Sequence, residues 1–211
     1  MRHYFKYLLQ SIVVIGISSA NAQSYEDFFR AVDRDDGRSV AQWLARGVDP
    51  NTVDPKGQTA LHLAMRDGDL QVAEALLQQP NLNVNALNAS AESPLMLAAL
   101  RGRLDWCQRL LERGAKLHFY GWSPIHYAAT GPEPRVVAML LDKGAPLEAL
   151  SPNRSTPLMM AAGYGAEGNV DLLLTRGADI RRRNDLGLDA AEFARRAGRE
   201  FLLVRLTAAP R

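Results

Sequence analysis

Ser123-Pro124-Ile125-His126-Tyr127-Ala128 is one of four closely similar hexapeptides that recur along the chain. The other three begin at Thr59, Ser93 and Thr156, and a degenerate fifth copy begins at Asp189. Successive copies start 34, 30, 33 and 33 residues apart. A period near 33 residues predicts an array of small structural units, each of which buries its apolar face against the next unit.

Each hexapeptide opens with a residue that can begin a helix. Ser, Thr and Asp side chains accept hydrogen bonds from the free N–H groups of the first helical turn. Pro follows the Ser or Thr at positions 94, 124 and 157, and Pro at the first helical position costs no hydrogen bond. The glycines that follow these short helices are predicted to close them in the left-handed conformation. They are Gly68, Gly102, Gly131, Gly165 and Gly198.

A second helix is predicted in each unit from apolar residues spaced three and four apart. The five segments are Val72 to Gln79, Asp105 to Arg113, Val136 to Lys143, Val170 to Arg176 and Phe201 to Leu206. Polar, extended segments such as Ala178-Asp179-Ile180 connect the end of one unit to the start of the next. The chain therefore alternates helix pairs with polar connections.

The hexapeptide and its period resemble the ankyrin repeat from about Tyr25 to Leu206. The resemblance implies an all-α solenoid of stacked helix-turn-helix units, with the connections projecting as β-hairpin fingers. It divides the domain at residues 23–211 into six units, whose charged end units are predicted to have polar outer faces. The units are an N-terminal cap at 25–56, repeats at about 57–90, 91–120, 121–153 and 154–186, and a C-terminal cap at 187–208.

The first 22 residues have the pattern of a secretory signal peptide. Arg2 and Lys6 precede an apolar stretch at 8–17, and Ala20-Asn21-Ala22 matches a small-x-small cleavage site. The stretch is shorter than the roughly 20 residues that span a bilayer. We expect cleavage after Ala22 and a bacterial periplasmic protein with no stable membrane insertion. An N-terminal segment that stays uncleaved as a membrane anchor is the alternative.

Two sequons leave a eukaryotic secretory pathway open. They are Asn88-Ala89-Ser90 and Asn153-Arg154-Ser155, and either is an acceptor for N-linked glycans in such a pathway. The bacterial assignment rests on the short leader and its cleavage pattern.

The charge distribution argues against nucleic acid as a partner. The chain has 25 Lys and Arg and 23 Asp and Glu, and both cations of the leader are lost on cleavage, which leaves the mature chain balanced. Residues 23–175 hold 14 basic and 18 acidic groups, whereas residues 176–211 hold 9 and 5. Nucleic-acid binding would need a basic stripe along the repeats, and the sequence has none.

No residue pattern predicts catalysis, a cofactor or a metal site. His62 and His126 hold the fourth hexapeptide position, where the resemblance implies that they orient backbone groups and the capping hydroxyl. Cys107 is the single cysteine, so no intrachain disulfide forms, and its apolar neighbours at helical spacing predict a buried, inert thiol. The glycine-rich stretch at 163–168 follows a helix and not a strand, so it is interpreted as a turn between helices.

The predicted finger that contains His118-Phe119-Tyr120-Gly121-Trp122 carries three aromatic residues where the family has small polar ones. Exposed aromatic rings on a rigid scaffold favour a protein interface; the alternative is that they pack on neighbouring fingers and helices. A second candidate patch, Arg181-Arg182-Arg183, would bind an acidic surface, unless it is simply a solvated basic tip. The candidate partner-binding residues are Phe119, Tyr120, Trp122, His118, Tyr164, Arg181, Arg182 and Arg183.

The resemblance implies protein binding and not a reaction. We expect an exported monomer that binds one specific protein, as an adaptor, as an immunity or inhibitor protein, or as an accessory of a periplasmic stress enzyme such as a catalase. The neighbouring gene would distinguish the last two roles. The alternative function is a scavenger of haem or metal that uses His118 and Tyr120.

Overall fold

The computed structural model describes residues 19–68 and 70–208, with side chains from Gln23 onward. The predicted targeting segment therefore lies outside the described residues except for residues 19–22, which begin the first helix. The described residues form twelve helices and divide into two compact units, with the division between Leu82 and Asn83. This division falls inside the repeat predicted at 57–90.

The described residues of the first unit form four helices, α1 (Ser19–Val32), α2 (Gly37–Ala45), α3 (Ala60–Asp67) and α4 (Leu70–Leu77). Helix α1 packs against α2 and α3, and α4 packs against α2 and α3. Phe28, Val32, Leu61 and Leu76 are fully buried in its core.

The second unit contains eight helices in four pairs. They are α5 (Pro94–Leu100), α6 (Leu104–Glu112), α7 (Pro124–Thr130), α8 (Pro134–Asp142), α9 (Pro157–Tyr164), α10 (Glu167–Thr175), α11 (Ala190–Arg196) and α12 (Glu200–Ala208). The first helices of the pairs lie side by side in the order α5, α7, α9 and α11, and each packs against the second helix of its own pair. The predicted pairs are confirmed, and the second helices begin one to three residues earlier than expected.

Four of the five predicted capping residues cap their helices as expected. Thr59, Ser93, Thr156 and Asp189 accept a hydrogen bond from the N–H group three residues later. The fifth, Ser123, forms a capping box with His126, in which the Ser123 hydroxyl contacts Nδ1 of His126 at 3.0 Å.

Two of the five predicted left-handed glycines are wrong. Gly68, Gly102 and Gly198 have positive φ angles, whereas Gly131 and Gly165 are extended, with φ of −77° and −88° and ψ of 177° at both. Gly131 and Gly165 allow close packing instead. A Cβ on Gly131 would lie 2.9 Å from the carbonyl oxygen of Ala99, and a Cβ on Gly165 would lie 1.9 Å from that of Ala129.

The predicted β-hairpin fingers are turns in the described residues, where one isolated bridge joins Val53 to Thr59. Each connection between two helix pairs forms a turn or a bend at its tip. At four of these tips, the turn is closed by the residue that lies five positions before the capping residue of the next helix. Its N–H donates to the carbonyl four residues on, its C=O accepts from the N–H three residues on, and its side chain accepts from the backbone. These residues are Asp54, Asn88, Ser151 and Asn184. Such side-chain bonds compete with a strand ladder.

The C-terminal cap is less polar than predicted. Phe201 and Val204 on α12 are 64% and 62% exposed. Arg205 lies over the Phe201 ring, 5.4 Å from its centroid, and pairs with Asp171. Helix α12 therefore has a partly apolar exposed face. Within residues 19–68 and 70–208, the helices are too short or too polar to cross a bilayer.

Candidate functional site

A groove of ≈240 Å³ lies along helices α5, α7 and α9 of the second unit. Its lining is almost wholly apolar. It consists of Leu100, Trp122, His126, Tyr127, Thr130 and Met160. Because the lining has no Lys, Arg, Asp or Glu, the groove favours an uncharged, apolar occupant.

Trp122 forms part of the groove wall and is also packed against α7. Its ring meets the His126 ring edge-on, with centroids 5.4 Å apart, and the Tyr127 ring edge-on at 6.5 Å. Edge-to-face arrangements at these distances stabilise aromatic pairs beyond the burial of their surface. Trp122 therefore packs on the helices, as one of the two expected alternatives has it, and also lines the groove.

His126 beneath the groove is fully buried and fully engaged in hydrogen bonds. Its Nδ1 accepts from the backbone N–H of Ser123 at 3.3 Å, so Nε2 carries the proton and lies 3.1 Å from the Ala149 carbonyl and 3.2 Å from that of Ser155. Burial lowers its pKa. The buried position and the contacts with Ser123 match the structural role that the resemblance implied.

Tyr127 is half-buried and neutral. Its hydroxyl donates to Oε1 of Glu92 at 3.1 Å. Burial, and secondly the charge of Glu92, raise the pKa of Tyr127 above its usual value. With His126 held neutral and Tyr127 undissociated, the groove lining carries no charge near neutral pH.

The three aromatic residues of the predicted finger lie in different environments. Tyr120 is fully exposed, with a relative exposure of 107%, Phe119 is half-buried, and Trp122 lines the groove. Gly121 has a φ of 90°, and a Cβ placed on it would lie 3.2 Å from Cγ of Pro152 on the next connection. The segment is thus in contact with its neighbour while Tyr120 projects into solvent.

The tip at residues 118–122 lacks the hydrogen bonds that close the other tips. His118 occupies the position of Asn88 and Asn184, and its exposed imidazole accepts none of the backbone N–H groups. Within the described chain, no N–H or C=O group of residues 118–122 has a hydrogen-bond partner. Sequence reasoning missed this difference, although counting five residues back from each capping residue would have found it.

Tyr164 extends the apolar surface beyond the groove. It is 64% exposed at the end of α9, one helical turn after Met160, so both side chains lie on one face of the helix. Its ring meets Phe193 of α11 edge-on at 6.4 Å. Phe193 belongs to the same surface and was not predicted.

The three arginines of the second candidate patch do not line the groove, and each lies near a carboxylate. Arg181 pairs with Asp179 at 3.1 Å, Arg182 with Glu148 at 3.6 Å and Arg183 with Asp189 at 3.8 Å. Hydrogen bonds from the backbone and side chain of Arg181 lower the pKa of Asp179. The exposed positive charge of this patch is therefore partly neutralised within the chain.

Other reactive groups in the described residues offer little for ligand chemistry. No group of three or more His, Cys, Asp or Glu side chains there is arranged to hold a metal ion. Cys107 is fully buried, as predicted, and burial raises the pKa of its thiol to about 12. A thiol of that pKa is not a thiolate at neutral pH.

The helix pairs, their caps and the connections between them have counterparts in a known protein family. A family model of ankyrin repeats in three copies matches residues 28–120 and 116–184. The chain belongs to the ankyrin-repeat family. The matched residues include the helix pairs from α5 to α10, and the groove lies on the first helices of these three pairs.

Relatives of the ankyrin-repeat chain come from Rickettsia bellii and Caenorhabditis elegans, among other organisms. A putative ankyrin repeat protein of Rickettsia bellii is 29% identical over 160 residues, which cover 70% of this chain and 44% of the relative. The ankyrin repeat and KH domain-containing protein mask-1 of Caenorhabditis elegans is 30% identical over 180 residues, which cover 76% of this chain and 7% of the relative. The chain thus spans less than half the length of either relative.

A solved structure resembles the ankyrin fold of this chain. It is a chain from the complex of a predatory endopeptidase of Bdellovibrio bacteriovorus with an immunity protein. The match has a TM-score of 0.74 and 24% sequence identity, and it covers 87% of this chain and 98% of that one. At this identity the likeness is one of fold.

Proposed function

We propose that this ankyrin-repeat chain is an exported, non-catalytic protein that binds one specific protein partner and inhibits it. The observation that carries the binding role is the exposed Tyr120 at the tip of a connection whose Trp122 lines an apolar groove. Large aromatic side chains of this kind are the usual anchors of protein interfaces.

The size of the groove favours a protein side chain over a free small molecule. Pockets that bind small ligands usually have volumes of about 300–1,000 Å³, whereas this groove has ≈240 Å³. Tyr120 and Tyr164 add exposed aromatic surface. A partner that places one large side chain in the groove and covers these rings would use the whole surface.

The chemistry of the groove supports a role without catalysis. The imidazole of His126 is buried and bonded through both nitrogens, and the one cysteine of the described residues is buried with a raised pKa. A nucleophile and a general base must lie within hydrogen-bond reach of each other and of a substrate. The groove lining provides no such pair.

The choice of inhibition among the expected roles follows from fold likeness. A chain of similar fold comes from a complex of an endopeptidase with an immunity protein. This likeness supports the proposal that the present chain binds an enzyme and inhibits it. The proposed partner is accordingly a secreted or periplasmic enzyme. An accessory of a stress enzyme would bind its enzyme without inhibiting it.

The proposed export is compatible with the packing of α1. Phe28 and Val32, its fully buried side chains, both lie after Ala22. Cleavage after Ala22 would leave both of these core residues in place. Amino-terminal sequencing of the protein from the periplasmic fraction should begin at Gln23; a protein that keeps residues 1–22 and stays with the membrane would contradict this step.

Co-purification from the periplasm, followed by reconstitution with purified proteins, tests the binding role. The full-length gene is expressed with a C-terminal tag, as wild type, as Tyr120→Ala and as Leu186→Ala. Leu186 is a matched control, because it is also an exposed apolar residue, at 70%, on the tip of another connection. A partner that depends on the proposed surface should be retained by wild type and Leu186→Ala and depleted by Tyr120→Ala, since loss of a hot-spot aromatic typically costs 2 kcal/mol or more.

The purified partner then decides between the roles. An inhibitor should abolish the partner's enzymatic activity at a stoichiometric ratio, and Tyr120→Ala should restore that activity. A partner whose activity is unchanged or raised would contradict inhibition and favour the accessory role. Equal retention by all three proteins would place the binding surface elsewhere.

A further inference from the structure

We infer that the partner binds through an extended peptide segment, which pairs with the backbone of residues 118–122 and places one large uncharged side chain in the groove. This inference rests on the proposed function and adds the chemistry of the partner. It combines two observations. The backbone groups of the tip at residues 118–122 have no hydrogen-bond partners within the described chain, and the groove, whose wall includes Trp122 of the same tip, is uncharged.

The open backbone of the tip is the first step of the argument. In the other four tips, the side chain at the turn position accepts backbone N–H groups, as Asn88 does at 2.9 Å and 3.0 Å from Ser90 and Glu92. At His118 these bonds are missing within the described chain. A segment with several free N–H and C=O groups is a template for another chain in extended conformation.

The conformation of the partner follows from the same hydrogen bonds. A helix satisfies its own backbone groups, so a helical partner would leave those of residues 118–122 unpaired. An extended segment has free donors and acceptors along both edges. Its side chains alternate in direction, so that one side chain turns toward the groove while the next turns away.

The charge of the anchoring side chain follows from the lining of the groove. His126 is neutral, with its pKa lowered by burial, and the other five lining residues are uncharged types. An acidic or basic side chain placed there would lose its hydration without gaining a partner. The groove therefore selects Leu, Ile, Met or Phe, while charged residues of the partner remain outside.

A single substitution can close the tip without removing any aromatic ring. His118→Asn introduces the side chain that closes the tips at Asn88 and Asn184. The residue three positions on, Gly121, already has the positive φ found at the matching Ala91 and Gly187. His118→Ala is the matched control, because it removes the imidazole without supplying an acceptor.

A displayed library of random twelve-residue peptides, selected against the full chain purified from the periplasm, provides the probe. We expect selected peptides to share one large uncharged side chain and to lose less affinity with His118→Ala than with His118→Asn. They should bind His118→Asn about tenfold more weakly, since one or two backbone hydrogen bonds are lost. N-methylation of single backbone amides in a selected peptide should cause a similar loss at alternate positions.

Several results would overturn the inference. The selected peptides would contradict it if their apolar residues were at helical spacing, or if they bound wild type and His118→Asn equally well. Binding that tolerates N-methylation at every backbone amide would also contradict it. So would a selection in which Trp122→Ala weakens the binding of none of the peptides. Circular dichroism of both His118 variants and of Trp122→Ala must match that of the wild type.

The two proposals fail separately. A co-purified partner that is inhibited and that binds His118→Asn unchanged would overturn the extended-segment inference and leave the proposed function standing. Peptides that bind as described, with no periplasmic partner retained, would overturn the proposed function alone.

Discussion

Gly165 lies against Ala129 so closely that a Cβ on Gly165 would be 1.9 Å from the Ala129 carbonyl oxygen. The backbone of Gly165 is extended, with φ of −88° and ψ of 177°, so alanine would be strained there by crowding and not by its own conformation. The turn between α9 and α10 therefore depends on a missing side chain to approach the end of α7.

Gly165→Ala should lower the free energy of unfolding by about 3 kcal/mol, at the upper end of overpacking costs. Gly177→Ala is the control, because its φ is 89° and no atom lies within 4 Å of the added Cβ; we expect it to cost about 1 kcal/mol through backbone strain. Urea unfolding followed by circular dichroism measures both. Equal losses would contradict the close-approach explanation.

Asn169 connects the same two repeats by hydrogen bonds. It is fully buried, and its Nδ2 lies 2.8 Å from the Gly131 carbonyl, 3.0 Å from that of Ala129 and 3.2 Å from that of Ala128. Asn169→Ala should cost about 2 kcal/mol, because three hydrogen bonds are lost and the Ala129 carbonyl loses its donor, whereas the carbonyl groups of Gly131 and Ala128 keep the N–H groups of Ala166 and Gly131. Asn169→Asp should cost more, because a carboxylate cannot donate. A loss no larger than that of exposed Thr175→Ala on the same helix would refute this role.

His126 should make stability depend on pH. Burial lowers its pKa in the folded chain below the unfolded value near 6.5, so the unfolded chain binds more protons as the pH falls through that value. The contribution of neutral His126 is therefore complete above about pH 7 and decreases below about pH 6.5.

His126→Met is the matched control for this effect, because methionine holds the same position at Met96 and Met159 and its sulfur lies 3.4 Å from the capping residue's N–H. We expect this variant to be less stable at pH 7.5 than the wild type, because the bonds to Ala149 and Ser155 are lost. Its stability should fall less between about pH 7 and pH 5. Parallel pH profiles for the two proteins would show that His126 does not titrate on unfolding.

The local features of the fold could be predicted from the sequence, because their determinants lie within a few residues. Thr59, Ser93 and Thr156 cap helices through bonds to the residue three positions on, and that spacing is visible in the hexapeptide. The sequence correctly places Gly165 in the turn between two helices, but it predicts a left-handed conformation, and the backbone of Gly165 is extended. Its contact with Ala129 joins residues 36 positions apart, and no local pattern reports such an approach.

The candidate site could be predicted only in part, because it depends on contacts between residues that are far apart in the sequence. The aromatic residues at 119, 120 and 122 were conspicuous against the repeat, but their separate environments depend on α7 and on Pro152 of the next connection. Leu100 and Met160 line the groove, but no local pattern distinguishes them from the other apolar residues of their helices. The partial neutralisation of Arg182 by Glu148 likewise depends on two adjacent connections.

Cys107 should resist thiol reagents until the chain unfolds. It is fully buried, and burial raises the pKa of its thiol to about 12, so both access and thiolate formation are suppressed. Ellman's reagent should react with Cys107 at the rate of unfolding and reach one thiol per chain in urea. Rapid labelling of the native protein would place the thiol at the surface.

Tyr120 and Trp122 should separate binding from stability, although they are two residues apart. Tyr120→Ala should change the free energy of unfolding by less than about 0.5 kcal/mol, because the ring is fully exposed. Trp122→Ala should cost about 1–2 kcal/mol through the lost edge-on contacts with His126 and Tyr127. Urea unfolding of the two single variants measures both values. Because Trp122→Ala acts on the scaffold as well, Tyr120→Ala is the cleaner probe of partner binding, and a large destabilisation by Tyr120→Ala would mean that the ring packs within the chain.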